Sequence, residues 1–185
     1  QKAGVGFGDM MGAVLGRSFN LQNILFSVLD ILGKFAIETD NVAKGFQKAT
    51  GFTGGLTAEY LATTAQKNNL TWAIAGRNPE KLSQLKARLE QINPDCKSIG
   101  IIEASADDPR SLYDMASQAR VVITTVGPYI KYGEPLVKAC IEASTDYVDL
   151  TGEPEFVELI EHEYHHTAQQ QGVRIVNCCG FDSIP

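Results

Sequence analysis

The sequence predicts an α/β fold built on a doubly wound parallel sheet, and three observations carry that reading. From about residue 51 onward, segments with helical periodicity alternate with short strand-like runs of β-branched and apolar residues. Glycine-bearing turns sit where the predicted strands hand over to helices. The composition is that of a globular protein: 44% of the 185 residues are hydrophobic and 21% are charged, which excludes disorder and long coiled coils. A chain of this size buries roughly 70% of its unfolded surface, so it can build a core without metal or disulfide staples.

The elements follow in order. Leu21, Ile24, Leu25, Val28, Leu29, Leu32 and Phe35 fall at helical spacing behind Asn20, a capping residue, so residues 20–37 read as an amphipathic helix. Its apolar face is expected to dock on protein or on a membrane surface; Asp30 and Lys34 interrupt it too soon for a membrane span. Up to Lys48 there are five basic and four acidic residues, and beyond it eleven and eighteen, so the chain divides near that point. Residues 1–48 are read as an atypical N-terminal segment and residues 49–185 as the α/β domain.

Within the second part, helices are predicted from Leu56 to Gln66, Pro79 to Ile92, Pro109 to Gln118, Pro135 to Ala143 and Glu155 to Gln171. Strands are predicted at Thr71–Ala75, Ser98–Ala104, Arg120–Val126, Tyr147–Leu150 and Val173–Cys178. Pro79 in the first turn supports the second helix, since its missing N–H would be unpaired there anyway. Asp40–Gln47 is too polar for a central strand, so either residues 1–48 come from elsewhere in a longer protein or another reading frame, or the sheet lacks a regular first strand.

A net charge of −6 argues against nucleic-acid partners, whose backbone would repel the chain. Cys96, Cys140, Cys178 and Cys179 form no CxxC pair, which suggests neither a disulfide framework nor a zinc ribbon and makes a reducing compartment the default reading. The expected location is intracellular, in the cytoplasm or at an organelle or lipid-droplet surface.

Ligands of such sheets lie beyond the carboxyl ends of the strands, so the strand-to-helix turns hold the candidates. Thr50, Gly51, Phe52, Thr53 and Gly54 open a helix, where glycines let the backbone approach a pyrophosphate and unpaired amides attract its charge. Arg77 and Asn78 end the next strand, at the position that faces an adenine ribose. An arginine there suits a 2′-phosphate, the bland alternative being a solvated arginine. The turn Val126–Pro135, with Gly127, Pro128 and Tyr129, is expected to run along a cofactor's diphosphate and nicotinamide ribose, and Asp149–Glu153 places further polar groups on the same rim. Tyr129, Tyr132, Asp149 and Glu153 are acid–base candidates by residue type, structural hydrogen bonding being the alternative for each, so no catalytic residue is assigned.

Six blocks occur in order along the chain: Ala49–Gly54 (ATGFTG), Ala73–Asn78 (AIAGRN), Val126–Tyr129 (VGPY), Tyr132–Pro135 (YGEP), Tyr147–Glu153 (YVDLTGE) and Cys179–Pro185 (CGFDSIP). Together they resemble the amino-terminal dinucleotide domain of the saccharopine dehydrogenase-like oxidoreductases, a group that includes the trans-acting enoyl reductases. The resemblance implies a Rossmann-like fold, NADP or NAD as cofactor, and an unknown small-molecule or lipid substrate, with lipid or glycolipid metabolism as one setting. Two departures stand against an active enzyme: Lys48 replaces the glycine with which the family's turn begins, and the chain stops at Pro185 before the expected substrate domain. The alternative is a non-catalytic interaction module of the same fold, or an accessory subunit, anchored by its N-terminal helix.

Two motifs read as decoys. His162–His166 fits H-E-x-x-H, but all three histidines of the protein lie in it and a third zinc ligand is not evident, so a solvated helix face is expected and no metal is assigned. Gly4–Gly8 with Gly12 follows no strand and misses G-x-G-x-x-G. The adjacent Cys178 and Cys179 read as small buried hydrophobes, because neighbouring cysteines rarely reach disulfide geometry. Asp182 and Ser183 are expected to face the nicotinamide end or to begin the crossover to the next domain.

Overall fold

A computed structural model describes residues 52–65 and 70–179, and within them helices and strands alternate throughout. The elements are α1 (Phe52–Thr64), β1 (Ala73–Gly76), α2 (Pro79–Ile92), β2 (Gly100–Glu103), α3 (Pro109–Ala116), β3 (Val121–Thr124), α4 (Tyr129–Glu142), β4 (Asp146–Asp149), α5 (Pro154–Gln171) and β5 (Ile175–Val176). All pairings are parallel: β1 runs beside β2 with Ala73 opposite Gly100, and β3–β4–β5 form a second ladder with Val121 opposite Asp146 and Tyr147 opposite Ile175. Among the described residues no strand joins the two ladders. The expected irregular first strand, the helix over 20–37, Lys48 and the glycine run of residues 4–12 all lie outside the described residues.

Local chemistry explains most boundaries. Asn78 precedes α2, and its Oδ1 accepts the Lys81 N–H at 2.9 Å while Pro79 takes the first helical position. Asp108 does the same for α3, its Oδ1 accepting from the amides of Arg110 and Ser111. At the end of α5, Gly172 adopts φ 67, the left-handed conformation that lets its N–H return to the helix carbonyls.

The core has two parts. Ala58 and Ala62 of α1 pack with Ile74, Leu82, Leu89, Cys96 and Ile99 beside the first ladder. The larger part lies where α3, α4 and α5 pack on the second ladder, around Met115, Leu136, Val137, Cys140, Tyr147, Phe156 and Ile160. Each such side chain contributes roughly 1.5–3 kcal/mol by leaving water. Thr145 is buried at the foot of β4, and its hydroxyl donates to the carbonyl of Ala116 at 2.8 Å, tying β4 to α3.

Several predicted boundaries are corrected. α1 starts at Phe52 rather than Leu56, so Gly54 and Gly55 lie inside the helix, where they admit Thr125 and Arg88 respectively. α4 starts at Tyr129, six residues before the expected Pro135, and the long rim loop shrinks to Val126–Pro128. The physical cause is a cap from elsewhere in the chain: the Glu153 carboxylate accepts the N–H groups of Tyr129 and Ile130 at 2.7 and 2.8 Å. That fixes the first turn, and Pro135 is carried in the helix interior despite its missing donor. β2 is shortened to Gly100–Glu103 because Asn93 turns Pro94–Ser98 into a 3-10 segment, its Oδ1 accepting the Asp95 N–H. β5 ends at Val176 because Asn177 and Cys178 turn their donors to Asp149.

Candidate functional site

Because the strands run parallel within each ladder, their carboxyl ends share an edge, and the connections leaving that edge hold the candidate residues. α1 begins there. A Cβ at Gly54 would lie 2.9 Å from Thr125 Oγ1, so the first turn of α1 touches the exit of β3. The first amides of a helix have no intrahelical partner and carry partial positive charge, so this start can receive an anion. Thr53 is half-buried in that turn, and its carbonyl accepts the Thr57 hydroxyl at 2.9 Å. Phe52 opens the helix, while Thr50 and Gly51 lie outside the described residues.

Arg77 follows β1 directly and is exposed; among the described residues its guanidinium has no ion pair or hydrogen bond. An unpaired guanidinium at a strand exit is disposed to take a phosphate in bidentate fashion. Asn78 is exposed beside it, with its Oδ1 already engaged as the α2 cap, so only its amide N–H groups face outward to a ligand.

Beyond β3 the chain turns through Gly127 and Pro128, joined by a cis peptide bond, and both are exposed. Tyr129 points the other way. Its ring is buried against Phe156, with centroids 5.8 Å apart, and its hydroxyl donates to the Thr124 carbonyl at 3.2 Å. Burial first, and then the charges of Asp149 and Glu153, push its pKa well above the usual phenol range. Such a group holds its proton, so the structure gives Tyr129 a packing role and leaves only its backbone near the rim.

Asp149, at the end of β4, is 1% exposed and accepts four hydrogen bonds: from the Tyr147 hydroxyl at 2.9 Å, the Asn177 side-chain amide at 2.7 Å, the Thr151 N–H at 3.0 Å and the Cys178 N–H at 3.1 Å. Burying a carboxylate is tolerable when donors surround it in this way. It joins the exits of β4 and β5. Glu153, through the amides of Tyr129 and Ile130, joins the β4 exit to the start of α4. Both carboxylates therefore fasten the rim, the structural alternative for each. Tyr132 is half-buried on α4 with the Lys131 ammonium 4.9 Å from its ring centroid.

Cys178 sits at φ 60 after β5, and both it and the buried Cys179 are unbridged. Burial and the Asp149 charge raise both thiols, Cys179 to about 12, so neither supplies a thiolate near neutral pH. His162, His165 and His166 are exposed on α5, where with Glu158 and Glu161 they border an open surface depression. Among the described residues no group of three or more His, Cys, Asp or Glu side chains could hold a metal ion. Asp182 and Ser183 lie outside the described residues.

The structure thus brings Thr53, Gly54, Gly127 and Pro128 to the junction of α1 and β3, with Arg77 and Asn78 at the β1 exit. Sequence reasoning missed Thr125 and Asn177. Thr125 was open to discovery as the residue next to the glycine turn after a strand; Asn177 carried no local signal, because its partner lies 28 residues away.

The edge offers a helix start closely approached through glycine, and an exposed arginine with no partner among the described residues. Known proteins resemble the chain in sequence. Over 144 residues the chain is 46% identical to a mouse saccharopine dehydrogenase-like oxidoreductase, covering 74% of this chain and 34% of that protein. It is 44% identical over 138 residues to a lipid droplet localized protein of Caenorhabditis elegans, covering 74% of this chain and 32% of that one. A Mycobacterium tuberculosis protein provisionally named a trans-acting enoyl reductase is 47% identical over 137 residues, again with 74% and 32% covered. The chain therefore spans about a third of the length of these relatives. The sequence model described as the saccharopine dehydrogenase NADP binding domain matches residues 49–176. With its Rossmann-like alternation of parallel strands and helices and a nicotinamide dinucleotide as the ligand of its kind, the chain belongs to the saccharopine dehydrogenase NADP-binding domain family.

Proposed function

We propose that this chain is the dinucleotide-binding portion of an NADP(H)-dependent oxidoreductase. The amides at the start of α1, around Thr53 and Gly54, hold the diphosphate, together with Thr50 and Gly51 that precede them. Arg77 takes the 2′-phosphate and the Asn78 amide group lies beside it. The Gly127–Pro128 turn flanks the cofactor, and the amides of Tyr129 and Ile130 that follow it are engaged by Glu153. When bound, the nicotinamide supplies hydride transfer, and the chain supplies binding and orientation.

The observation that supports this most directly is Arg77: exposed and unpaired at the exit of β1, in a chain of net charge −6. Calorimetric titration of the intact protein is expected to show NADPH binding more tightly than NADH. Arg77→Ala is expected to remove that preference, weakening NADPH by at least tenfold and NADH little. Binding of neither nucleotide by the intact protein refutes the proposal. A preference untouched by Arg77→Ala refutes the arginine's role alone.

The substrate proposed is a lipid or lipid-linked small molecule, supported by the relative named for lipid droplets. Among the described residues no helix is long and apolar enough to cross a membrane, so contact with a droplet or membrane surface would fall to residues 20–37. Deleting those residues is expected to release the protein from lipid droplets in fractionated cells; unchanged droplet association would refute that arrangement.

A further inference from the structure

Two adjacent threonines at the end of β3 have opposite situations. Thr124 is buried, its Oγ1 accepts the Val126 N–H at 3.3 Å, and its carbonyl accepts the Tyr129 hydroxyl. Thr125 is half-buried, and among the described residues its hydroxyl has no hydrogen-bond partner. Yet that hydroxyl is tightly located. It lies 2.9 Å from where a Cβ of Gly54 would be, against the first turn of α1, and a β-branched side chain has little freedom at χ1. A methyl group at residue 54 would fill the space it occupies, so the glycine and the hydroxyl are complementary.

We infer that Thr125 is a further ligand-binding residue of this domain, its hydroxyl donating a hydrogen bond to a diphosphate oxygen of the dinucleotide seated on the first turn of α1. This rests on the dinucleotide reading above. The start of α1 presents N–H groups to an anion, and a hydroxyl donor beside them adds a further donor to the same cradle. The start of α4, which follows β3 directly, cannot compete, because Glu153 already occupies the amides of Tyr129 and Ile130. Thr124 cannot take the role, since its oxygens face inward.

The test is titration of the intact protein, wild type, Thr125→Val and Thr125→Ser, with NADPH and with 2′-phospho-ADP-ribose, which lacks the nicotinamide. Thr125→Val keeps the shape and removes the donor; it is expected to weaken both ligands about tenfold, as a lost hydrogen bond to a charged group does. Thr125→Ser is expected to stay within about twofold of wild type. Without ligand, the melting temperatures should match, because the hydroxyl has no described protein partner to lose. Three results overturn the inference: unchanged affinities in Thr125→Val, a loss confined to NADPH, which moves the contact to the nicotinamide half, or a lowered melting temperature without ligand, which makes the hydroxyl structural. Failure of the wild type to bind either nucleotide sinks the proposed function itself, and this inference with it.

Discussion

The packing of α4 on α5 sets the geometry of the rim, and a single added methyl tests it. A Cβ at Gly133 would stand 2.5 Å from Phe156 Cζ and 2.6 Å from Cε2. Carbon atoms prefer about 3.5–4.0 Å, so two ring atoms would be overlapped by about 1 Å. The ring has nowhere to go: Phe156 is 0% exposed and its other face meets Tyr129. Overpacking of this kind costs about 1–3 kcal/mol, and the severity of the overlap places Gly133→Ala near the top of that range. Exchanging glycine for alanine in a helix interior returns about 1 kcal/mol. The net loss is about 2 kcal/mol, which for a chain of this size lowers the melting temperature by about 4–8 °C. Urea denaturation of Gly133→Ala, Phe156→Leu and the double variant measures it. Phe156→Leu removes the far edge of the ring, so the double variant should lose at least about 1 kcal/mol less than the sum of the singles. If Gly133→Ala is as stable as wild type, or if the two losses add, the contact does not hold the helices as described.

Two further outcomes follow from the rim and the core. Glu153→Gln keeps one acceptor for the amides at the start of α4 but turns an N–H group toward the other, so unfolding in urea should show a loss of about 2 kcal/mol; an unchanged midpoint would remove the cap from the account. The Cys140 thiol, 0% exposed, is pushed up to about 12 by burial and, secondarily, by the Asp146 charge. Unfolded thiols ionise near pH 9, so above that pH the unfolded chain binds fewer protons than the folded one and stability falls as pH rises. Between about 9 and 12 this thiol contributes a slope of about 1.4 kcal/mol per pH unit, which Cys140→Ala should remove from a stability–pH series. A slope unaltered by the substitution would show that the thiol ionises in the folded protein.

The elements that the sequence predicted best carry their signals within a few residues. α2 was readable over its whole length because Asn78, Pro79 and the apolar Leu82, Leu85 and Leu89 are all local. α4 was misread because its start is fixed by a carboxylate 23 and 24 residues further on, and only the fold brings Glu153 to the amides. Without that partner, the helix is read from Pro135 onward, six residues late. The same division runs through the site. Arg77 was legible from a strand followed by a glycine, and it stands exposed where that pattern puts it. Tyr129 was grouped with the rim by its neighbours Gly127 and Pro128, although its ring turns inward to Phe156; side-chain direction at a helix start depends on what the helix packs against, which a motif does not contain.

An acidic chain that receives an acidic ligand requires its rim carboxylates to be neutralised, and their partners show how. Asp149 is surrounded by four donors of the protein itself, so its charge is balanced before any ligand arrives. Glu153 sets its charge against the positive end of the α4 helix, which satisfies both and leaves that helix start closed to phosphate. Of the groups proposed to receive the cofactor, the start of α1 and the Arg77 guanidinium have no partner among the described residues. The two groups lie at the exits of β3 and β1, and an anionic ligand held by both must carry charge at two separated points. In the proposed function, a mononucleotide with a single 5′-phosphate would offer one such point, whereas a 2′-phosphorylated dinucleotide would offer its diphosphate to α1 and its ribose phosphate to Arg77. The carboxylates would then act on that proposed specificity without touching the ligand, by holding donors it could otherwise use.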